Sequence, residues 1–267
     1  MAFRLADPSK RISTATKLST LRADQLLVQQ GLAPTRSAAQ RLIKAGAVLR
    51  CGTVLTKAGE NLPLDTQLHV KDDAELRYVS RGGLKLEGAL EHCSWDPAGW
   101  NCLDIGSSTG GFADCLLQRE AAFVVGIDVG HGQLHPRLVA DPRMVNLEGI
   151  NARELTAGDL PPDSRKRVFH LAVIDVSFIS LTLVLPAVIA LLPQSAKILA
   201  LVKPQFELGS KSLTRAGNAR LTSDYDVLQS GMHACCTDAG AQVTHYFPSP
   251  ITGQQGTREF FIAAHKP

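Results

Sequence analysis

Apolar and polar positions change period along this chain. From residue 101 onward, short runs that are apolar at almost every position alternate with stretches that are apolar every three or four residues. The runs at 102–105, 123–129, 144–148, 170–177 and 197–203 have the pattern of strands buried on both faces, and the stretches at 111–117, 180–192 and 223–238 carry the helical repeat. Residues 241–247 and 259–264 read as two final strands close in sequence, which places an antiparallel hairpin at the end of the sheet. Strands alternating with helices predict an α/β domain built on a doubly wound, mostly parallel sheet.

The first part of the chain has shorter units. Residues 21–31 put Leu26 and Leu27 on one helical face and stop at Gly31. Residues 35–46 open with Thr35 as N-cap, bury Ala38, Ala39, Leu42 and Ile43, and stop at Gly46. Residues 47–55 read as two short strands about a Cys51-Gly52 turn, with a further strand near 67–70. A small α+β domain is therefore expected over 20–70, a charged linker over 71–79, and the α/β domain over 80–267. That domain opens with a helix whose inner face is expected to hold Leu84, Gly88 and Leu90. Residues 1–19 lack periodicity and read as a disordered basic tail.

Composition adds a charge asymmetry. The net charge is +3, yet residues 1–85 carry 14 Lys+Arg against 7 Asp+Glu, and the rest carries 14 against 18. A basic first third on a mildly acidic body suits a polyanion, nucleic acid most simply, although scattered solvated charge accounts for it equally well. Aromatics are only 5% of residues, which argues against a single-strand binder built on stacking platforms. The six cysteines form no C-x-x-C pair, so no metal is expected, and Cys102 and Cys115 read as small core residues. No apolar leader opens the sequence, and the longest apolar run, 181–193, is too short to span a bilayer. A cytoplasmic protein without a membrane span is expected.

The candidate chemistry centres on a strand that runs into glycines, Asp104-x-Gly106-x-x-x-Gly110-Gly111, followed by a helix. That geometry lets a backbone approach a nucleotide-type cofactor and presents free N–H groups to it. The spacing matches neither G-x-G-x-x-G nor G-x-x-x-x-G-K-[ST], and no lysine follows the glycines, so a triphosphate is a poor fit. S-adenosylmethionine (SAM) is the cofactor expected here. Asp104, Gly106, Ser107, Ser108, Thr109, Gly110, Gly111 and Phe112 are candidates to hold it, with Asp128 for ribose hydroxyls and Asn151 near the adenine. Asp175 and Lys203 also fall at strand carboxyl ends, where such sheets bind ligands. Singly, Asp175, Lys203 and Glu259 each have a plainer reading, as a helix cap, a surface cation and a cross-strand partner. Arg36, Arg41 and Lys44 lie off the apolar stripe of their helix. With Arg22 and Arg50 they form a basic face suited to phosphates, and Arg81 is a further candidate for RNA phosphate.

Two stretches carry family resemblances. Gly31-Leu32, Thr35-Arg36, Ala39, Leu42-Ile43, Gly46 and Val48 are spaced as in the S4 RNA-binding domain, which they resemble, with Cys51-Gly52 in place of the usual Asn-Gly turn. Gly106-Ser-Ser-Thr-Gly-Gly-Phe112, Asp175-Val-Ser-Phe-Ile-Ser180, Leu201-Val-Lys-Pro-Gln-Phe-Glu207 and Gly256-Thr-Arg-Glu-Phe-Phe261 are similar to the FtsJ-type ribose methyltransferases. With Ser80-Arg-Gly-Gly-Leu-Lys85 in front, nearly the whole chain after residue 20 resembles the TlyA family, also called haemolysin A. The resemblance implies a class I, Rossmann-like SAM-dependent methyltransferase that modifies ribose 2′-hydroxyls of ribosomal RNA, at cytidine in assembled subunits. It also implies a tetrad of Lys85, Asp175, Lys203 and Glu259. Lys203 would orient or deprotonate the 2′-hydroxyl, Asp175 and Glu259 would tune its charge, and Lys85 would bind near the target. Two other classes compete: a SAM-binding assembly factor without turnover, which the filled tetrad opposes, and a membrane-active haemolysin, which the missing span opposes.

Overall fold

The structure is a computed structural model that describes residues 19–71, 76–253 and 256–267. All but the last residue of the expected tail lies outside the described residues, as do 72–75 of the expected linker. The chain divides into two compact units, residues 1–76 and 77–267.

The smaller unit contains β1 (Thr20–Arg22), α1 (Ala23–Gln29), α2 (Arg36–Lys44), β2 (Val48–Arg50), β3 (Thr53–Val54), β4 (Asn61–Pro63) and β5 (Leu68–Val70). Thr35 caps α2 by accepting the Ala38 N–H at 3.2 Å, as its position predicts. The β2–β3 hairpin turns through Cys51 and Gly52, both at positive φ (48° and 80°), the two-residue turn whose twist suits a hairpin. β5 joins the other edge of β2, while β1 pairs antiparallel with β4 in a separate two-stranded sheet. Leu26, Leu27, Ala39, Leu42, Val48 and Leu62 close one apolar core among these elements.

The larger unit contains α3 (Gly82–Cys93), β6 (Asn101–Ile105), α4 (Gly111–Gln118), β7 (Phe123–Asp128), α5 (Pro136–Val139), β8 (Met144–Glu148), α6 (Pro162–Arg165), β9 (Leu171–Ile174), α7 (Leu181–Leu191), β10 (Lys197–Val202), α8 (Pro204–Glu207), α9 (Thr222–Asp238), β11 (Gln242–Pro248) and β12 (Phe260–His265). Seven strands form one sheet in the order β8-β7-β6-β9-β10-β12-β11; β12 alone runs against its neighbours. The continuous apolar runs follow from burial on both faces. Ala172 and Ile174 of β9 face one core while Leu171 and Val173 face the other, and β10 alternates in the same way.

The inner face of α3 differs from the expected one. Leu86, Ala89, Leu90 and Cys93 are buried there, while Leu84 and Gly88 are only half-buried. The helix starts at Gly82, and Gly83 packs so closely against Tyr78 that a Cβ there would clash.

Strand order reverses between β6 and β9, the point at which open α/β sheets leave a crevice at their carboxyl ends. The last pair across that junction is Ile105 with Ile174, so Gly106 and Asp175 are the next residues on each side.

Candidate active site

At the β6–β9 junction the backbones approach so closely that a Cβ on Gly106 would lie 2.5 Å from the Asp175 carbonyl oxygen. Gly106 also has a φ of +83°, a second reason for glycine. Gly110 (φ +92°) packs under Leu134 and Leu138, and Gly111 packs against Ser80 and the start of α3. The turn is held from several sides. Gly106 donates its N–H to the Ile127 carbonyl at 2.8 Å, Ser107 Oγ bonds Asn146 Oδ1 at 3.2 Å, and Ser108 Oγ bonds Gln133 at 3.1 Å. Thr109 is exposed, and its carbonyl accepts the His135 N–H at 3.2 Å.

Four residues expected at the cofactor have contacts within the protein. Asp104 is fully buried beneath the turn: its Oδ2 accepts the Ala113 N–H at 2.9 Å and its Oδ1 has no partner. Burial raises the Asp104 pKa to about 8, with Asp175 and Asp128 adding to the rise. Phe112 lies in the core, its ring 6.3 Å from that of Phe261. Asn151 is exposed and caps its own turn, accepting the Arg153 N–H at 3.1 Å. Asp128 braces the turn, accepting N–H groups from Ser108 and Gly130, each at 2.7 Å.

The two lysines and two of the carboxylates form two ion pairs. Lys203 follows β10, and its Nζ lies 2.5 Å from Asp175 Oδ1 while donating to the Val176 carbonyl (2.9 Å) and Ser177 Oγ (2.8 Å). The two neutral acceptors and the Asp175 charge together fix the position of the ammonium. Lys85 Nζ lies 2.6 Å from Glu259 Oε2, and that carboxylate is only 5% exposed. Val202 pairs with Phe260 across β10 and β12, so Lys203 and Glu259 stand one step beyond the last pair. Lys85, Asp175, Lys203 and Glu259, dispersed over 174 residues of sequence, thus lie along one end of the sheet. Asp175 does not cap a helix; Ser180 caps α7.

Sequence reasoning missed Phe178. It is 93% exposed and sits at φ +65°, a conformation that costs a bulky residue about 1–2 kcal/mol. Its neighbours hold it there: Ser177 binds Lys203, Ser180 Oγ binds Glu207 at 2.5 Å, and the Phe206 ring is 5.4 Å away. Backbone φ leaves no trace in composition or periodicity, so the only sequence signal was membership of the Asp175–Ser180 motif.

The basic face of the small unit is partly committed internally. Asp24 is fully buried, and it accepts from Arg22 (3.0 Å), Gln40 (2.7 Å) and Arg36 (3.2 Å). The bond from Arg22 does most to hold the Asp24 carboxyl well below the usual carboxylate range. Arg50 pairs with Glu60 at 2.6 Å. Arg41 is half-buried and Lys44 exposed on α2. In the larger unit Arg81 donates to the Thr252 carbonyl at 3.1 Å. Among the described residues no cluster of three His, Cys, Asp or Glu side chains could hold a metal ion, and no helix is long and apolar enough to cross a membrane.

Both units match known families. Residues 78–266 match the FtsJ-like methyltransferase family and residues 21–68 match the S4 domain. The chain is 41% identical over 246 residues to the 16S/23S rRNA (cytidine-2′-O)-methyltransferase TlyA of Mycobacterium tuberculosis, covering 90% of this chain and 88% of that one. A solved Streptococcus thermophilus structure that carries a hemolysin name aligns with a TM-score of 0.72 at 38% identity, over 93% of this chain and 89% of that one. A Listeria monocytogenes structure named for SAM-dependent methyl transfer shares the fold at 13% identity, with a TM-score of 0.51 over 69% of this chain and 99% of that one.

Proposed function

The chain belongs to the FtsJ-like methyltransferase family, and on that premise we propose that it methylates a ribose 2′-hydroxyl of ribosomal RNA, using SAM as donor. The observation that carries the reading is the Lys203–Asp175 ion pair set directly beside the Gly106 turn. A cofactor cradle and a charged pair able to handle a hydroxyl then share one crevice.

The residues at the turn suit a cationic adenosyl cofactor. Gly106 lets β6 and β9 approach closely at the head of the turn, and Asp104, two residues before it, keeps an unpartnered Oδ1. A nearby positive charge would offset the cost of ionising that carboxyl. Gly106, Ser107 and Ser108 would line the cofactor, Asp128 would take its ribose, and Asp104 would act from beneath through its charge. When bound, SAM supplies an electrophilic methyl group, and the protein positions the acceptor in line with it.

Lys203 then has a definite task. Its ammonium donates to Val176 and Ser177 beside the Asp175 charge, so its remaining N–H can meet an incoming 2′-hydroxyl and the lysine orients the oxygen that attacks. The Asp175 carboxylate beside the ammonium can take the hydroxyl proton as the oxygen attacks. Glu259 holds Lys85 at the edge of the same crevice, where the cation can meet the phosphate beside the target ribose. Phe178 offers an exposed ring beside the lysine on which the target base can stack, with cytidine in assembled ribosomal subunits the expected target. The S4 unit supplies affinity for the RNA backbone, and the modification belongs to the cytoplasm, where ribosomes are assembled.

The test is transfer of labelled methyl from SAM to unmodified ribosomal subunits. Wild-type protein should label the RNA, and Lys203→Ala should lower the rate by about 10²–10⁴-fold with SAM binding retained. Labelling by the variant at the wild-type rate would remove Lys203 from the reaction.

A further inference from the structure

A basic hairpin stands beside the two ion pairs. Between α8 and α9 the chain folds back on itself: Leu213 bridges Ala219, the Thr214 N–H donates to the Asn218 carbonyl at 2.7 Å, and the Arg220 N–H donates to the Ser212 carbonyl at 2.8 Å. Residues 208–221 contain Lys211, Arg215 and Arg220 and no acidic residue, and all three cations are exposed. None of the three pairs with a carboxylate among the described residues. The flanking acids are turned elsewhere, Glu207 to Ser180 and the Leu181 N–H, and Asp224 to the Leu221 N–H.

The hairpin is tied to both strands that deliver the ion pairs. Asn218 Oδ1 accepts the Arg258 N–H at 2.7 Å, one residue before Glu259. Gly217 is at φ +81°, and a Cβ there would lie 3.3 Å from Gln205 and from Thr257, each two residues from an ion-pair member. The Arg258 guanidinium carbon lies over the Tyr225 ring, 5.3 Å from its centroid, which adds a fourth cation.

We infer that this hairpin is an RNA clamp: Lys211, Arg215 and Arg220 contact phosphates of the RNA strand that enters the Lys203–Glu259 edge. The inference rests on the RNA-methylating function proposed above. It assigns the methyltransferase unit its own backbone-binding surface, in addition to the S4 face, where Arg22, Arg36 and Arg50 pair with carboxylates of their own unit. Cations without partners lose no internal ion pair when they meet a phosphate, so they are the better candidates for contacts that release counterions.

The test compares the full-length triple variant Lys211→Ala/Arg215→Ala/Arg220→Ala with wild type. Both are titrated with unmodified ribosomal subunits at 50 and 200 mM salt, and SAM affinity is measured on the same samples. Each lost phosphate contact lowers the slope of log K against log salt by about 0.7–0.9. Three contacts mean that wild type weakens some 20- to 40-fold more than the variant over that range. KM for RNA should rise, with kcat and SAM affinity within about threefold of wild type. The charge-retaining variant Arg215→Lys/Arg220→Lys should keep the wild-type slope. An unchanged slope in the triple variant overturns the clamp while leaving RNA methylation standing. Absence of any RNA binding or methylation by wild type would overturn both. Lost affinity for phosphatidylglycerol vesicles with intact RNA binding would assign the hairpin to a membrane and overturn the clamp.

Discussion

Replacing Asp104 by Asn isolates the cost of the acid buried beneath the glycine turn. The carboxyl has one hydrogen bond, from Ala113, and a pKa raised to about 8 by burial and by Asp175, against roughly 3.9 in an unfolded chain. Between those values the unfolded chain releases a proton that the folded chain keeps. Stability therefore falls as pH rises and levels off above about pH 8. The full loss is on the order of 5 kcal/mol, of which only ~1–2 kcal/mol has accrued by pH 5. Asn retains an oxygen for the Ala113 N–H and has no proton to lose. In urea unfolding of cofactor-free protein, Asp104→Asn should gain on wild type by some 3–4 kcal/mol between pH 5 and pH 8.5. SAM affinity should move the opposite way, because the charge available to a cationic cofactor is gone. Parallel stability curves would refute the buried-acid argument, and unchanged SAM affinity would refute the assignment of the turn.

Other perturbations probe the remaining parts of the site. Lys85→Ala strands the buried Glu259 carboxylate and should cost about 3–5 kcal/mol, whereas Lys85→Ala/Glu259→Ala should cost less than the single change, a non-additivity visible in melting temperatures. Phe178→Gly relieves the positive φ at the expense of unfolded-state entropy. Stability should hold or rise by up to about 1 kcal/mol while turnover on RNA drops and SAM binding is kept; a clear loss of stability would contradict the strain argument. Gly106→Ala forces β6 and β9 apart, so calorimetry should find SAM binding lost along with methylation.

The parallel sheet was legible because strands buried on both faces leave apolar-rich runs of four to six residues, shorter than the apolar helix Leu181–Leu191, and length rather than period separates the two. The helix over residues 36–44 was legible from its Thr35 cap and Gly46 stop. β1 and β4 were not legible: each has three residues, too few to display a period, and they pair across 39 to 43 positions. At the candidate site, glycines and strand-end residues marked one edge of the sheet, but spacing cannot say which way a side chain turns. Asp104 and Phe112 belong to the same motif as Gly106 yet point into the core, and Asn151 spends its carbonyl on its own turn. The basic face illustrates a second limit. Arg22 and Arg36 read as free cations until folding places Asp24 between them. Lys85 and Glu259 lay too far apart in sequence for spacing to unite them; only the sheet register and the start of α3 do so.

In this protein the methyl group is expected to go to a ribose oxygen under the control of Lys203. The most direct measurement is alkaline hydrolysis of ribosomal RNA labelled by wild-type protein and SAM, followed by mass analysis of the labelled product. A 2′-O-methyl group blocks cleavage of its phosphodiester bond, so the account predicts an alkali-stable dinucleotide carrying the label on ribose, absent when Lys203→Ala is used. Label recovered on a base, in a mononucleotide, would contradict it.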